Sequence, residues 1–188
     1  MRAIEGDYKH DAFVSYAHVD NRPLGPYAAE WIEVIVCYLK RRLTTLLKRP
    51  ADMWHDPQLP GNARLWPELV EHLHGATVFL AVTSPGYLHS TWCLKELSEF
   101  VRWNGGDTSA RSRIIRVAKH PVDEFLMPRI LAQTRSVAFY QSGSGHDAAP
   151  LFPSQLAFRS ELRRLGSHVG DILTEVNRRG AAARKRAK

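Results

Sequence analysis

"ATVFLAVTSPGYLHSTWCLKELSEF", residues 76–100, holds two different periodicities in one short stretch. The segment 76–84 is a continuous apolar run, which predicts a strand covered on both faces, as in a parallel sheet. Further on, Cys93, Leu97 and Phe100 or Val101 recur at spacings of three and four, the pattern of a helix with one buried face. Ser90 or Thr91 can cap the exposed amides at its start, and "SPGYLH" between the two reads as a loop. The chain here runs strand, turn, helix. That order sets the fold class for the rest.

Outward from this unit the same alternation repeats. "AFVSY" (12–16) is a buried-strand candidate leading into "AHVDNRPLGP", whose Asn, Pro and Gly mark a loop. From about Tyr27 to Leu47, the residues Ile32, Ile35, Leu39, Leu43 and Leu46 predict a helix. "ADMWHD" (51–56) is a second strand candidate, and the turn-rich "DPQLPGNARLW" follows it. Leu65, Trp66, Leu69, Val70 and Leu73 then mark a second helix. "RIIRVA" (113–118) and "SVAFY" (136–140) read as the fourth and fifth strands. Pro121 and Pro128 leave little room between them for a long helix. A final helix follows from Ser154 through Leu162, Leu165, Val169, Ile172 and Val176.

Five short strands alternating with helices predict an α/β fold, a parallel sheet with helices on both faces. Ligands in such sheets bind beyond the C-terminal strand ends, where the winding direction reverses. In the common order 2-1-3-4-5 that reversal lies between strands one and three, so the loops at the crevice are "SYAHVD" and "TSPGYLHSTW". Trp92 and Glu96 stand four apart on the helix after strand three, which puts both on one face bordering that crevice. A carboxylate there can hold sugar hydroxyls and stabilise positive charge developing on a ribose. An indole offers a flat wall for an aromatic ring.

Composition narrows the class. The chain of 188 residues is 44% hydrophobic and 24% charged, which suits one globular domain. Its net charge of +7 is largely terminal: Arg178, Arg179, Arg184, Lys185, Arg186 and Lys188 carry six positive charges, and about +1 remains elsewhere. The basicity therefore marks no groove for nucleic acid on the domain. The expected division is a domain over residues 1–176 and a basic tail or start of a linker over 177–188. Two cysteines, Cys37 and Cys93, make no disulfide framework, and no apolar run is long enough to span a bilayer. A cytoplasmic location with no membrane contact is the expectation.

Other chemistries lack their residues. His72 and His74 are two apart on a helix and point to different faces, and no ligand pattern completes a metal site. Ser84 or Ser90 as a nucleophile lacks a His and acid arrangement, and Cys93 fits a buried helix face better than a reactive thiol. No Gly-rich phosphate cradle is present.

"HDAFVSYAHVD" and "WHDPQLPGNARLWPELVEHLHGATVFLAVTSPGYLHSTWCLKELSEF", with "S-x-x-Y" and "S-x-W-C-x-x-E-L" in register, resemble the Toll/interleukin-1 receptor (TIR) domains, above all plant and bacterial members. The resemblance covers roughly residues 8–175. It implies a flavodoxin-like three-layer sandwich with a five-stranded parallel sheet of order 2-1-3-4-5. Many members cleave NAD at the nicotinamide glycosidic bond, and by position their essential glutamate falls on Glu96 and their W-x-x-x-E tryptophan on Trp92. The resemblance further implies that Ser15, Tyr16 and Ala17 line the crevice opposite Glu96 and that Tyr87 stacks on a ring or packs beneath the loop. NAD is then a substrate, and no cofactor or metal is implied.

In TIR enzymes the BB loop, here about residues 55–65, packs against a neighbouring subunit, so self-association is expected to be a condition of activity. Asp56 is expected to cap that turn, and Leu59 or Trp66 to present apolar surface. The implied activity is an NAD nucleosidase or cyclase giving nicotinamide and ADP-ribose or a cyclic isomer, in prokaryotic immune defence, with a fused or separate sensor module. A non-catalytic scaffold signalling by TIR-to-TIR contact is the alternative, and such a scaffold needs no carboxylate at position 96. A nucleoside deoxyribosyltransferase shares the sheet and the glycosidic chemistry.

Overall fold

The computed structural model describes residues 8–21, 30–55, 66–141 and 148–186. Five strands, numbered in chain order, form one sheet: β1 (His10–Tyr16), β2 (Met53–His55), β3 (Ala76–Thr83), β4 (Ile114–Ala118) and β5 (Arg135–Ala138). Their order is β2-β1-β3-β4-β5, and every neighbouring pair is parallel. This is the flavodoxin-like arrangement expected from the sequence. All eight residues of β3 are buried, as a central strand covered on both faces requires.

Side-chain alternation divides the core between the two faces. Val14, Leu80 and Val117 meet Ile32, Ile35, Leu39 and Leu43 of α1 (Trp31–Leu47) and Leu162, Leu165, Val169 and Leu173 of α7 (Leu156–Arg186). On the other face Phe13, Phe79 and Ala81 pack with the helices that lie there, Ala110 of α5 (Asp107–Ala110) among their buried residues. Leu69 and Leu73 come from α2 (Trp66–His74), and Tyr87 from α3 (Pro85–His89). Cys93, Leu97 and Phe100 come from α4 (Thr91–Trp103), and Ile130 and Leu131 from α6 (Arg129–Ala132). The short helix α5 precedes β4.

Two features, α3 and the end of α7, depart from the simplest reading of the sequence, while the short pieces between β4 and β5 fit the little room expected there. The stretch after β3, expected as a loop, is the five-residue helix α3, because Ser84 Oγ accepts from the Tyr87 amide at 2.9 Å and Pro85 pre-sets the first helical position. The segment between β4 and β5 holds a 3-10 turn at Glu124–Leu126 and the four-residue α6. The basic stretch after residue 176 continues α7 without a break to Arg186, and Glu175 bonds both Arg178 and Arg179. No helix among the described residues is long and apolar enough to cross a membrane. Residues 56–65, which include most of the expected BB loop with Asp56 and Leu59, lie outside the described residues.

Local charge pairs pin the opposite end of the sheet. Arg49 holds the buried Asp11 carboxylate through both oxygens, at 2.5 and 2.9 Å, and Asp11 also accepts the Asp52 amide. Nearby, His10 bridges Asp52 and His72, with ring nitrogen separations of 2.8 and 2.9 Å. Burial pushes His72 below the usual histidine range, and it does the same to His120 and His168. A histidine held neutral in the folded state contributes stability that is present above its ordinary pKa of about 6.5 and lost as the pH falls through its folded value. The urea midpoint is therefore expected to drop between about pH 7.5 and about pH 5.5, well above the range in which Glu99, lowered by Arg102 and His74, begins to protonate. A midpoint that stays level or rises over that interval would refute the assignment.

Candidate functional site

Glu96 lies on the second turn of α4, and its residue is only 6% exposed. The helix is aimed by its cap, Ser90 Oγ accepting from the Cys93 amide at 3.2 Å. Across the crevice, Ser15 near the end of β1 donates its hydroxyl to Glu96 Oε2. The Tyr87 hydroxyl is 3.4 Å from Ser15 Oγ. Because the Ser15 hydrogen faces the carboxylate, its oxygen is left to accept from Tyr87. Three elements thus converge on one carboxylate at the C-terminal edge of β1 and β3, the switch point of the sheet.

The environment is apolar enough to hold neighbouring groups in their neutral forms. Burial raises the Tyr87 hydroxyl well above its usual range, with Cys93 and Glu96 adding to the effect. Burial, and after it Glu96, pushes the Cys93 thiol up to about 12. Cys93 is a buried packing residue, 2% exposed, and no thiolate nucleophile forms there near neutral pH.

The other sequence-selected residues divide by strand parity. Ala17 packs on the Glu96 face of the sheet, while Tyr16 points the opposite way and packs in the α1–α7 layer. Tyr87 is fully buried, so its ring packs beneath the loop and its polar contribution is the hydroxyl. Trp92 is partly buried and meets the ring of Trp66 edge-on, with centroids 5.3 Å apart, while Lys95 Nζ sits 3.7 Å from the centre of the Trp66 ring.

A second polar cluster, not selected from the sequence, lies along the same edge. Asp20, in the 3-10 turn His18–Asn21, accepts from Ser84 Oγ at 2.5 Å. Lys119 Nζ donates to the Asp20 main-chain oxygen and lies 3.7 Å from its carboxylate. Asn21 ties the same turn to α1 by accepting from the Ile32 amide at 2.9 Å and donating to Glu30 at 2.6 Å. In the sequence, Lys119 reads as a loop lysine after a strand, and nothing in its spacing marks it as buried.

Among the described residues, no group of three or more His, Cys, Asp or Glu is arranged to hold a metal ion. A separate groove of about 1110 Å³ runs between α1 and α7, lined by Tyr38, Arg42, Leu46, Gly166, Gly170 and Asp171 among others. It is floored where α7 approaches α1, since a Cβ at Gly170 would lie 2.5 Å from Leu46 Cδ2. Glu96 and Ser15 take no part in it.

Residues 13–151 match the family described as TIR domain. The probable disease resistance protein RPP1 of Arabidopsis thaliana is 24% identical over 100 residues, 53% of this chain and 7% of that protein. The chain thus spans a small part of the length of the curated relative it matches. Among solved structures, a metazoan TIR-STING receptor from C. gigas in complex with 2',3'-cGAMP aligns with a TM-score of 0.48 at 15% identity, over 90% of this chain and 42% of that one.

Proposed function

Because this chain belongs to the TIR domain family, we propose that it is an NAD-cleaving member of that family with Glu96 as its catalytic carboxylate. The observation that carries the proposal is the burial of Glu96 at the switch-point crevice with the Ser15 hydroxyl directed at it. In the reaction, the bond between ribose C1' and the nicotinamide nitrogen breaks, and its electron pair neutralises the pyridinium. Nicotinamide leaves as a neutral amine, so no second carboxyl is needed as acid, unlike at an ordinary glycosidase. The charge that develops is a ribosyl oxocarbenium ion, and a carboxylate in a poorly solvated site stabilises it more strongly than water does. Capture by water gives ADP-ribose and a proton, and capture by a ring nitrogen of the same molecule gives a cyclic isomer.

In this reading Ser15 orients Glu96, the Tyr16 main chain and Ala17 line the ribose side, and Trp92 flanks the entrance. Tyr87 acts through its hydroxyl. Removing the Ser15 hydroxyl takes away one charge-assisted hydrogen bond. Ser15→Ala is therefore expected to lower kcat by about tenfold to a hundredfold, with a smaller change in KM. A kcat equal to that of the wild type would remove Ser15 from the site.

Self-association through the loop around residues 55–65 belongs to the same proposal, as do a cytoplasmic setting, a role in prokaryotic immunity and an attached or separate sensor module. The test is to concentrate or artificially assemble the protein, add NAD and follow nicotinamide release. Release in assembled protein supports the proposal. No release in any assembled form would leave the signalling scaffold as the function, and nucleoside turnover without NAD turnover would favour a transferase.

A further inference from the structure

Lys119 follows β4 directly, Ser84 follows β3 directly, and Asp20 lies just beyond β1; these three strands are neighbours in the sheet. Asp20, Ser84 and Lys119 are 5%, 1% and 7% exposed, so the ion pair and its hydroxyl partner are all out of water. A buried pair of this kind is a poor source of stability, because desolvating both ions offsets their attraction, and apolar side chains of similar volume often serve a fold as well. Lys119 carries that cost visibly: burial lowers its pKa, and Asp20 opposes the shift. Its ammonium also lies 5.4 Å from the centre of the Trp31 ring at the start of α1.

The cluster leads to the carboxylate through a continuous set of contacts. Asp20 takes the Ser84 hydroxyl hydrogen, which turns the Ser84 oxygen toward the Tyr87 amide. The Tyr87 ring is fully buried and cannot swing, so where α3 begins decides where its hydroxyl meets Ser15. Ser15 in turn holds Glu96. We propose that Lys119 and Asp20 form a clasp across the ends of β1, β3 and β4 that positions the Ser15–Glu96 pair through Ser84 and Tyr87. Lys119 is then a positioning residue for turnover. The inference rests on the NAD-cleaving reading above.

Charge and position give opposite expectations for one substitution, which makes the clasp testable. Lys119→Met leaves the Asp20 carboxylate in place and makes the crevice more negative, so a purely electrostatic role for Lys119 would leave turnover of a cationic transition state unchanged or faster. The clasp requires it to be slower. On the full chain, under the assembled conditions in which the wild type releases nicotinamide from NAD, Lys119→Met is expected to lower kcat by about tenfold or more while KM stays within about threefold.

Ser84→Ala, which cuts the link to Tyr87 without unpairing Lys119, is expected to do the same, and the double variant should be no slower than the worse single one. Rates are expressed per folded molecule, with the folded fraction taken from circular dichroism at the assay temperature, and Ser84→Ala decides the matter if Lys119→Met does not fold. An unchanged or raised kcat in the folded variants, or rate losses that multiply in the double variant, would overturn the clasp while leaving the function intact. A wild type that releases no nicotinamide in any assembled form would overturn the function, and the clasp with it.

Discussion

Glu96→Gln is expected to lower nicotinamide release from NAD by at least about a hundredfold, the scale on which a preorganised electrostatic group contributes to catalysis. The substitution keeps the volume of the side chain and an oxygen that can still accept from Ser15. In the proposed reaction, what it removes is the negative charge opposite the developing ribosyl cation. The same change removes a charge from a site only 6% exposed, and burying a charge is costly. The variant is accordingly expected to be as stable as the wild type or more so, by about 1 kcal/mol. Stability held or gained together with activity lost is the signature of a residue retained for chemistry. Turnover that survives in Glu96→Gln, measured beside the wild type under the same assembled conditions, would dismiss Glu96 as the catalytic group.

Phe13→Ala is expected to cost about 3–5 kcal/mol in unfolding free energy, a large part of the roughly 5–15 kcal/mol that holds a domain folded. Phe13 is fully buried in β1 and in register with Trp54 of β2 and Phe79 of β3. Its ring stacks on both neighbours, with centroids 4.6 and 5.7 Å away, and Phe79 continues the series to Phe100 of α4 at 5.1 Å. Truncation opens a cavity in the middle of that aromatic row, beneath the helix that carries Glu96. Phe125, 98% exposed, is the matched control, and Phe125→Ala is expected to change stability by less than about 0.5 kcal/mol. Urea denaturation of the two variants measures the contrast, and a Phe13→Ala loss below about 1 kcal/mol would mean that the row repacks.

The elements readable from sequence were those with a strong period. The apolar run of β3 and the three- and four-residue steps of α1 and α4 each appear in the structure close to their expected limits, and α7 starts where expected but runs ten residues beyond Val176. Burial of Cys93 followed from its place on the apolar face of α4. The helix α3 stands where a loop is expected, although both of its signals, a serine cap and a proline at the first position, are present at Ser84 and Pro85. Five residues are too few to show a helical period, and "SPG" also spells a turn.

The place of the candidate site was legible to the same degree and for the same reason. Helical spacing put Glu96 and Trp92 on one face, and strand order put that face at the crevice. Spacing along one strand is equally informative, since neighbours such as Ser15 and Tyr16 must point their side chains to opposite faces. The structure resolves them accordingly, Ser15 toward Glu96 and Tyr16 into the α1–α7 layer.

Legible in the sequence are the five strands, the four longer helices, the side on which each is buried, and a carboxylate on the helix after the third strand. Those features depend on neighbours a few residues apart, and local periodicity records them directly. That Ser15 reaches Glu96 from 81 residues away and that Lys119 meets Asp20 across 99 follows from the packed sheet alone. Such pairings depend on which strand ends lie side by side and on how far each loop rises above the sheet. A buried lysine and an exposed one are written with the same letter, and only the packed sheet shows which of them has been taken out of water.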